Sequence, residues 1–440
     1  MRKHLEEDVS MNRYAQMIRE LQSAPVVERL NTLYGSRDGM IVKQIARYTS
    51  MIKRHEEIFH ETEKDVLMIS APGRTEIGGN HTDHNKGLVL AAAVNLDTLA
   101  AVSARDDMQV HCYSEGYAPI VVDLSDLSVH PEEEGTTAAL IRGVASKMAQ
   151  LGYKVGGFNA AMTSSVRSGS GLSSSASFEV LVCAILDKLY NGFVIDFKTR
   201  AIISQYAENV YFGKPSGLLD QMASSAGGLV HVDFRNDDPA VTPMQFDFAA
   251  AGYALVVVAT GGSHADLTDE YAAIPREMKQ VAAVFGCENL RQVRGDELWH
   301  SLGSVRQKTS DRAVLRTFHF LSENDRVKQQ VKALKNNDIK DFFDAIIASG
   351  RSSFMFLQNV YPAGSSDMSL AVALSMAEYK LAGKGAWRIH GGGFAGTTLN
   401  FVPQDMLAEY VGDMEEVFGK GCCTVLDIRP EGAAVVDLNK

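Results

Sequence analysis

The sequence predicts an α+β chain of two domains, and three observations carry that expectation. The 440 residues are enough for two separate cores. Strand-like and helix-like runs are mixed without the strict alternation of a parallel α/β sheet. Two loops of small residues, "GSGLSSSAS" (169–177) and "HGGGFAGTT" (390–398), lie far apart in the chain, each beside a strand-like run.

The elements follow in order. Residues 1–65 read as helical, because "YAQMIRELQ" and "MIVKQIARYTSMIKRHEEIF" carry apolar residues at helical spacing among charges. At Val66 the texture changes, and "VLMISAPGR" reads as a strand entering a Pro-Gly turn. "GLVLAAAVNLDTLAAVSARDD" and "MQVHCYS" read as strands with a turn between them. "EGTTAALIRGVASKMAQLG" is a helix closed by Gly, "FNAAMTSSV" a strand, and "SSASFEVLVCAILDKLYNG" an apolar helix after the first small-residue loop. Residues 197–211 read as a helix, "GGLVHVDF" and "YALVVVAT" as strands, and 325–358 as two helices. "GAWRIHGGGFAGTTLNFVP" is strand, glycine loop, strand. The polar patch "RNDDPAVTP" (235–243) is the expected domain boundary.

Composition narrows the function classes. Apolar residues make up 45% and charged residues 22%, with a net charge of −11. That balance is ordinary for a globular protein. No basic stripe is present, so nucleic acid is not expected as a partner. No run approaches the roughly 18 apolar residues of a membrane span. "MRKHLEEDVS" has no apolar core of a signal peptide. The five cysteines are scattered without a C-x-x-C pair, which fits reduced thiols in a cytoplasm rather than zinc or disulfides.

The loop 169–177 sits between a strand and a helix, an arrangement that binds phosphate. Gly lets the backbone approach an anion, successive N–H groups point at it, and the helix N-terminus adds partial positive charge. A Ser-rich N-cap and turn is the alternative. It is neither a G-x-x-x-x-G-K-[ST] loop nor a G-x-G-x-x-G fingerprint. The run of Gly391, Gly392 and Gly393 calls for a close backbone approach to a ligand or another loop, or else a bulge. "APGRTEIGGNHTDHNKG" (71–87) gathers Arg74, Glu76, Asn80, His81, Asp83, His84 and Asn85, dense hydrogen-bonding capacity suited to a polyol. Its His81, Asp83 and His84 could also be read as metal ligands. "AENVYFGKPSGLLDQ" (207–221) offers the carboxylates Glu208 and Asp220, whose plainer roles are a solvated helix face and an N-cap.

These blocks resemble the GHMP small-molecule kinases, the galactokinase branch in particular. "APGR…HTDHNKG" resembles P-G-R-V-N-x-I-G-E-H-T-D-Y-N-x-G, "GSGLSSSAS" resembles G-x-G-L-S-S-S-A-S, and "HGGGFAGTT" resembles G-A-G-F-G-G. Glu208 and Asp220 keep the interval of A-E-N…G-x-M-D-Q. "HADLTDEY" (264–271) and "RTFHFLSENDR" (316–326) are similar to further segments in the same order. The resemblance spans roughly residues 66–435.

It implies two α+β domains, 66–238 and 239–440, with mixed or antiparallel sheets flanked by helices and the active site in the cleft between them. Residues 1–65 would be a helical extension on the first domain. It implies an ATP-dependent kinase of a sugar's carbon-1 hydroxyl, cytoplasmic, monomeric or weakly dimeric, with ATP and Mg²⁺. Asp220 and Arg74 would be catalytic. Gly169, Ser170, Gly171, Leu172, Ser173, Ser174, Ser175 and Ala176 would wrap the ATP phosphates, with Ser175 and Glu208 holding the metal. Asn80, His81, Asp83, Gly217, Asp220 and Tyr271 would meet the sugar, supported by Gly391, Gly392 and Gly393 from the second domain.

The departures bear on the substrate. Asn80 stands where the family has the Glu that contacts the carbon-6 hydroxyl of galactose. His84 replaces a Tyr and adds a candidate cation, and "GRTEIGG" replaces "GRVNLIG". Losing an anion there removes repulsion against a substrate carboxylate, so galacturonate stands as an alternative to galactose. A catalytically silent sugar- and ATP-binding protein is the alternative of another class. Ser175, Ala176, Asp220 and Arg74 are all present, which speaks against it.

Overall fold

A computed structural model describes residues 12–61, 64–166, 171–261, 267–394 and 396–438. The chain opens with helices α1 (Arg13–Glu20), α2 (Ala24–Tyr34) and α3 (Met40–Phe59), then strands β1 (Leu67–Gly78), β2 (Leu88–Ala104), β3 (Gln109–Ser114) and β4 (Ile120–Asp123). α4 (Thr137–Gln150), β5 (Phe158–Ser164), α5 (Ser174–Tyr190), α6 (Phe197–Tyr206), α7 (Leu219–Ala226), β6 (Leu229–Asp233) and β7 (Ala240–Met244) follow. The remainder runs β8 (Tyr253–Ala259), α8 (Thr268–Val284), α9 (Gly295–Lys308), α10 (Asp311–Lys335), α11 (Ile339–Ser352), α12 (Ser369–Leu381), β9 (Ala386–His390), β10 (Thr397–Pro403), α13 (Leu407–Phe418), β11 (Cys423–Leu426) and β12 (Ala434–Val436).

Among the described residues, eight strands form one sheet and four form another. In the first, β1 and β2 pair antiparallel at the centre, β5 and β6 each take half of β2, and only β3 against β5 is parallel. The second sheet, in the order β11-β8-β10-β9, is antiparallel throughout. This is the mixed α+β arrangement that the run pattern predicts.

The helices α1–α3 bury one apolar stripe each on the first sheet. Tyr14, Met17, Leu33, Met51 and Ile52 pack with Met68, Leu99 and Val436. Burial of each such side chain contributes about 1.5–3 kcal/mol. A polar node locks the same contact. Asp97, fully buried on β2, accepts from Tyr34 Oη at 2.5 Å, from Arg429 Nη1 at 3.0 Å and from Arg47. Burial alone would raise this carboxyl, but the two arginines hold it below its ordinary value.

Two sequence expectations need correction. β1 does not stop at the Pro-Gly turn but runs on to Gly78, with irregularities between Pro72 and Arg74 and between Glu76 and Gly78. The first of these takes the Arg74 N–H out of the ladder, and it donates instead to Leu172 O at 3.1 Å. The "RNDDPAVTP" patch is not an interdomain linker. It holds a hairpin turn, because β7 pairs with β6 from Leu229↔Met244 to Asp233↔Ala240. The first sheet therefore crosses the expected 238/239 boundary, and β12 returns from the far end of the chain to pair with β1.

Candidate active site

The irregularity in β1 aims Arg74 at the small-residue loop. Its Nε donates to Asp220 Oδ1 at 2.6 Å, and its Nη1 donates to Gly171 O. Asp220 lies in the first turn of α7, and its second oxygen accepts from Ser173 Oγ. Three segments far apart in sequence thus meet at one carboxylate. Burial would raise the Asp220 carboxyl, but Arg74 and the hydrogen bonds from Arg74 and Ser173 hold it below the usual range. It is an anion at neutral pH, with lone pairs left to accept a further hydrogen bond.

Ser173 caps α5 in a left-handed conformation (φ 57°), and Ser174, Ser175 and Ala176 form the helix's first turn. Free backbone N–H groups and the positive end of a 17-residue helix therefore face the loop. Leu172 is buried with Val166, Ile77 and Leu255 and anchors the loop rather than contacting phosphate through its side chain. Gly169 and Ser170 lie outside the described residues.

The polyol-type segment is held against the second glycine loop. His81 Nε2 donates to Gly392 O at 2.9 Å, and Tyr271 Oη donates to Gly393 O at 2.8 Å. Asn80 Nδ2 donates to Gly391 O at 2.7 Å and to Glu76 Oε1 at 2.9 Å. The glycine run thus offers its carbonyls to another loop. Gly393 has φ 81°, and a Cβ there would stand 2.1 Å from Asn359 O. Asp83 faces Gly217 so closely that a Cβ at 217 would stand 1.7 Å from Asp83 Oδ2. Burial raises the Asp83 carboxyl, and Asp220 adds to this while His81 opposes it.

Asn80, one of the expected sugar contacts, is held by protein partners in this structure. It is fully buried, and its Oδ1 accepts from Asn359 Nδ2 at 2.9 Å and Ser353 Oγ at 3.3 Å. Both amide hydrogens are also engaged, so a sugar contact by Asn80 would have to replace one of these bonds. The carboxylate absent at position 80 has a counterpart close by. Where the family motif has Asn then Glu, this chain has Glu76 then Asn80, and the two side chains are hydrogen-bonded. The acid has moved four residues and pairs with the fully buried Arg388 at 2.8 Å. Burial raises Glu76 above its ordinary value, opposed by Arg388 and Arg74. His84 is not a cation either: burial, His81 and Lys279 hold it well below its ordinary value. The metal reading of His81, Asp83 and His84 has no support, since His81 Nε2 is taken by Gly392 and no such cluster occurs among the described residues.

A divalent cation fits elsewhere. Ser175 Oγ lies 3.1 Å from Glu208 Oε1, and Glu208 Oε2 is fixed by Ser216 Oγ at 2.6 Å and Gln221 Nε2 at 2.8 Å. The neighbouring Glu179 is buried with Oε1 lacking a hydrogen-bond partner, so the pole is rich in hard oxygen. Two protein oxygens beside a phosphate site match the way Mg²⁺ is held, with phosphates and water completing its shell.

Sequence reasoning missed several residues that shape the site. His390 Nε2 accepts from the Glu76 N–H at 3.3 Å, so Nδ1 carries the proton and donates to Thr397 Oγ1 at 3.1 Å. Burial and the nearby Arg74 and Arg388 keep it neutral. Glu323 accepts from the Gly79 N–H at 3.1 Å, and His319 Nε2 donates to Asn80 O at 2.9 Å. The i, i+4 spacing of His319 and Glu323 on α10 was visible; their target was not.

The fold and the site together define a GHMP-type small-molecule kinase. Residues 139–228 match the GHMP kinases N terminal domain, and residues 53–104 match the galactokinase galactose-binding signature. A galactokinase of Streptomyces coelicolor is 31% identical over 373 residues, covering 83% of this chain and 92% of that protein. The Homo sapiens galactokinase is 29% identical, covering 90% and 98%. The chain belongs to the galactokinase family. Its fold is that of a Lactococcus lactis galactokinase solved with galactose (TM-score 0.77, 24% identity, 88% of this chain and 99% of that one). It also matches a Methanococcus jannaschii mevalonate kinase (TM-score 0.60, 12% identity, 83% and 98%).

Proposed function

We propose that this protein is a sugar kinase that transfers the terminal phosphoryl group of ATP to the carbon-1 hydroxyl of galactose. The observation that carries the proposal is Asp220, held charged by Arg74 and Ser173 where the phosphate loop meets the sugar segment. Asp220 orients the attacking hydroxyl and takes its proton as the bond to phosphorus forms. A carboxylate held below its usual range is a weak base, so orientation comes first and proton acceptance late, in keeping with a loose phosphoryl-transfer transition state. Arg74 keeps Asp220 charged and faces the transferring group. The Ser173–Ala176 turn cradles phosphate oxygens with backbone N–H groups. Ser175 and Glu208 would hold Mg²⁺, which when bound neutralises charge on the phosphates. Asp83, seated against Gly217, accepts from sugar hydroxyls, and His81 and Tyr271 are positioned by the glycine-loop carbonyls.

Burial holds His84 well below its ordinary value, which speaks against its serving as the cation for a carboxylated sugar. A coupled ADP-release assay with Mg²⁺-ATP against galactose, galacturonate and N-acetylgalactosamine tests the proposal. Turnover is expected on galactose. Turnover on galacturonate alone refutes the substrate, and thermal shifts without ADP release refute catalysis.

A further inference from the structure

Lys214, in the loop between Glu208 and Asp220, has no role in the chemistry above. Its Nζ lies 2.8 Å from Glu208 Oε1, the oxygen that also accepts from Ser175 Oγ. The other oxygen, Oε2, is already held by Ser216 and Gln221. A cation bridging Ser175 and Glu208 must therefore use Oε1, where the ammonium now sits. The two partners differ in freedom: the Glu208 side chain is 3% exposed and Lys214 is 59% exposed on a flexible stem.

We propose that Lys214 fills the metal pole of the empty enzyme, so that the divalent cation enters with the nucleotide and not before it. This rests on the assignment of Ser175 and Glu208 as metal ligands. Without nucleotide, an arriving cation finds two protein oxygens and must displace a bound ammonium. With nucleotide, phosphate oxygens complete the cation's shell, and the displaced ammonium gains a phosphate partner of its own. Lys214 thereby also keeps Glu208, beside the unpartnered Glu179 Oε1, compensated while the site waits.

The test is Mn²⁺ binding to the nucleotide-free protein, read by electron paramagnetic resonance of free Mn²⁺. The parent is expected to bind Mn²⁺ at least about ten-fold more weakly than Lys214→Met, as removal of a competing charge implies. Lys214→Arg should still exclude the ion, and Lys214→Met with Glu208→Gln should lose it. Equal Mn²⁺ binding by the parent and Lys214→Met, or none in either, overturns the proposal. Calorimetry of ADP with and without Mg²⁺ separates the two layers. If Glu208→Gln keeps the Mg²⁺-dependent tightening of ADP, the metal-ligand assignment itself fails. If that tightening is lost while Lys214→Met gains no Mn²⁺, only the role of Lys214 fails.

Discussion

Asn80→Glu, which restores the family's residue, is expected to damage this protein. Residue 80 is fully buried, with Nδ2 2.9 Å from Glu76 Oε1 and 2.7 Å from Gly391 O. Both neighbours are acceptors, and a carboxylate has no hydrogen to give them. The substitution replaces two hydrogen bonds with acceptor–acceptor contacts and buries a second acid beside Glu76. A loss of about 3–5 kcal/mol is expected, the range for an uncompensated buried charge. Glu76→Asn alone should lose a similar amount, because it strips the fully buried Arg388 of its 2.8 Å carboxylate partner. Together the two substitutions exchange the pair, leaving one acid, one amide and one arginine in the same space. The double variant should therefore recover most of the loss, with a coupling of at least about 2 kcal/mol. Urea unfolding of the four proteins measures this cycle. An Asn80→Glu variant as stable as the parent, or losses that simply add in the double variant, would refute the exchange.

Other outcomes are expected on the same geometry. Asp220→Asn should lower turnover by about 10²–10⁴-fold while galactose still raises the melting temperature, and unimpaired turnover would remove Asp220 from the mechanism. Gly217→Ala should push Asp83 aside, since its Cβ would stand 1.7 Å from Oδ2. It should raise KM for sugar by about ten-fold, equivalent to one lost hydrogen bond, with little change in stability, and an unchanged KM would contradict the contact. His55 and His319 are fully buried, and burial lowers each to about 4. The unfolded chain takes up protons near pH 6.5 that the folded chain refuses until about pH 4, so stability falls as pH drops through that window. Each histidine contributes up to about 3 kcal/mol of that loss. Equal urea midpoints at pH 7.5 and 5 would disprove it, and His55→Gln should flatten the slope.

Much of this protein is legible in its sequence because local chemistry dictates it. The apolar stripes of α1–α3 and the long apolar run of α5 suit helices, the long Val/Ala/Leu run of β2 suits a buried strand, and the Ser/Gly loop ahead of α5 marks a candidate anion site. α8 carries Pro275, which argues against a helix interior, and α12 and α13 escape the reading although Leu370, Ala373, Leu374 and Ala377, and Tyr410 and Met414, keep helical spacing. The turn of the β6–β7 hairpin reads as a linker because it carries the same polar residues a linker would.

Residue by residue, the chain supplies the parts: an arginine, two acids on a twelve-residue interval, and two loops of small residues. Which of them meet is set by the packing of the folded chain. It brought Arg74, Ser173 and Asp220 together across 146 residues of chain, and it joined Glu76 to Asn80 and to the buried Arg388. The physical reason is that a buried polar group must find its partners in space. Those partners come from strands and helices that meet only when both sheets are formed, and no one-dimensional spacing encodes that meeting.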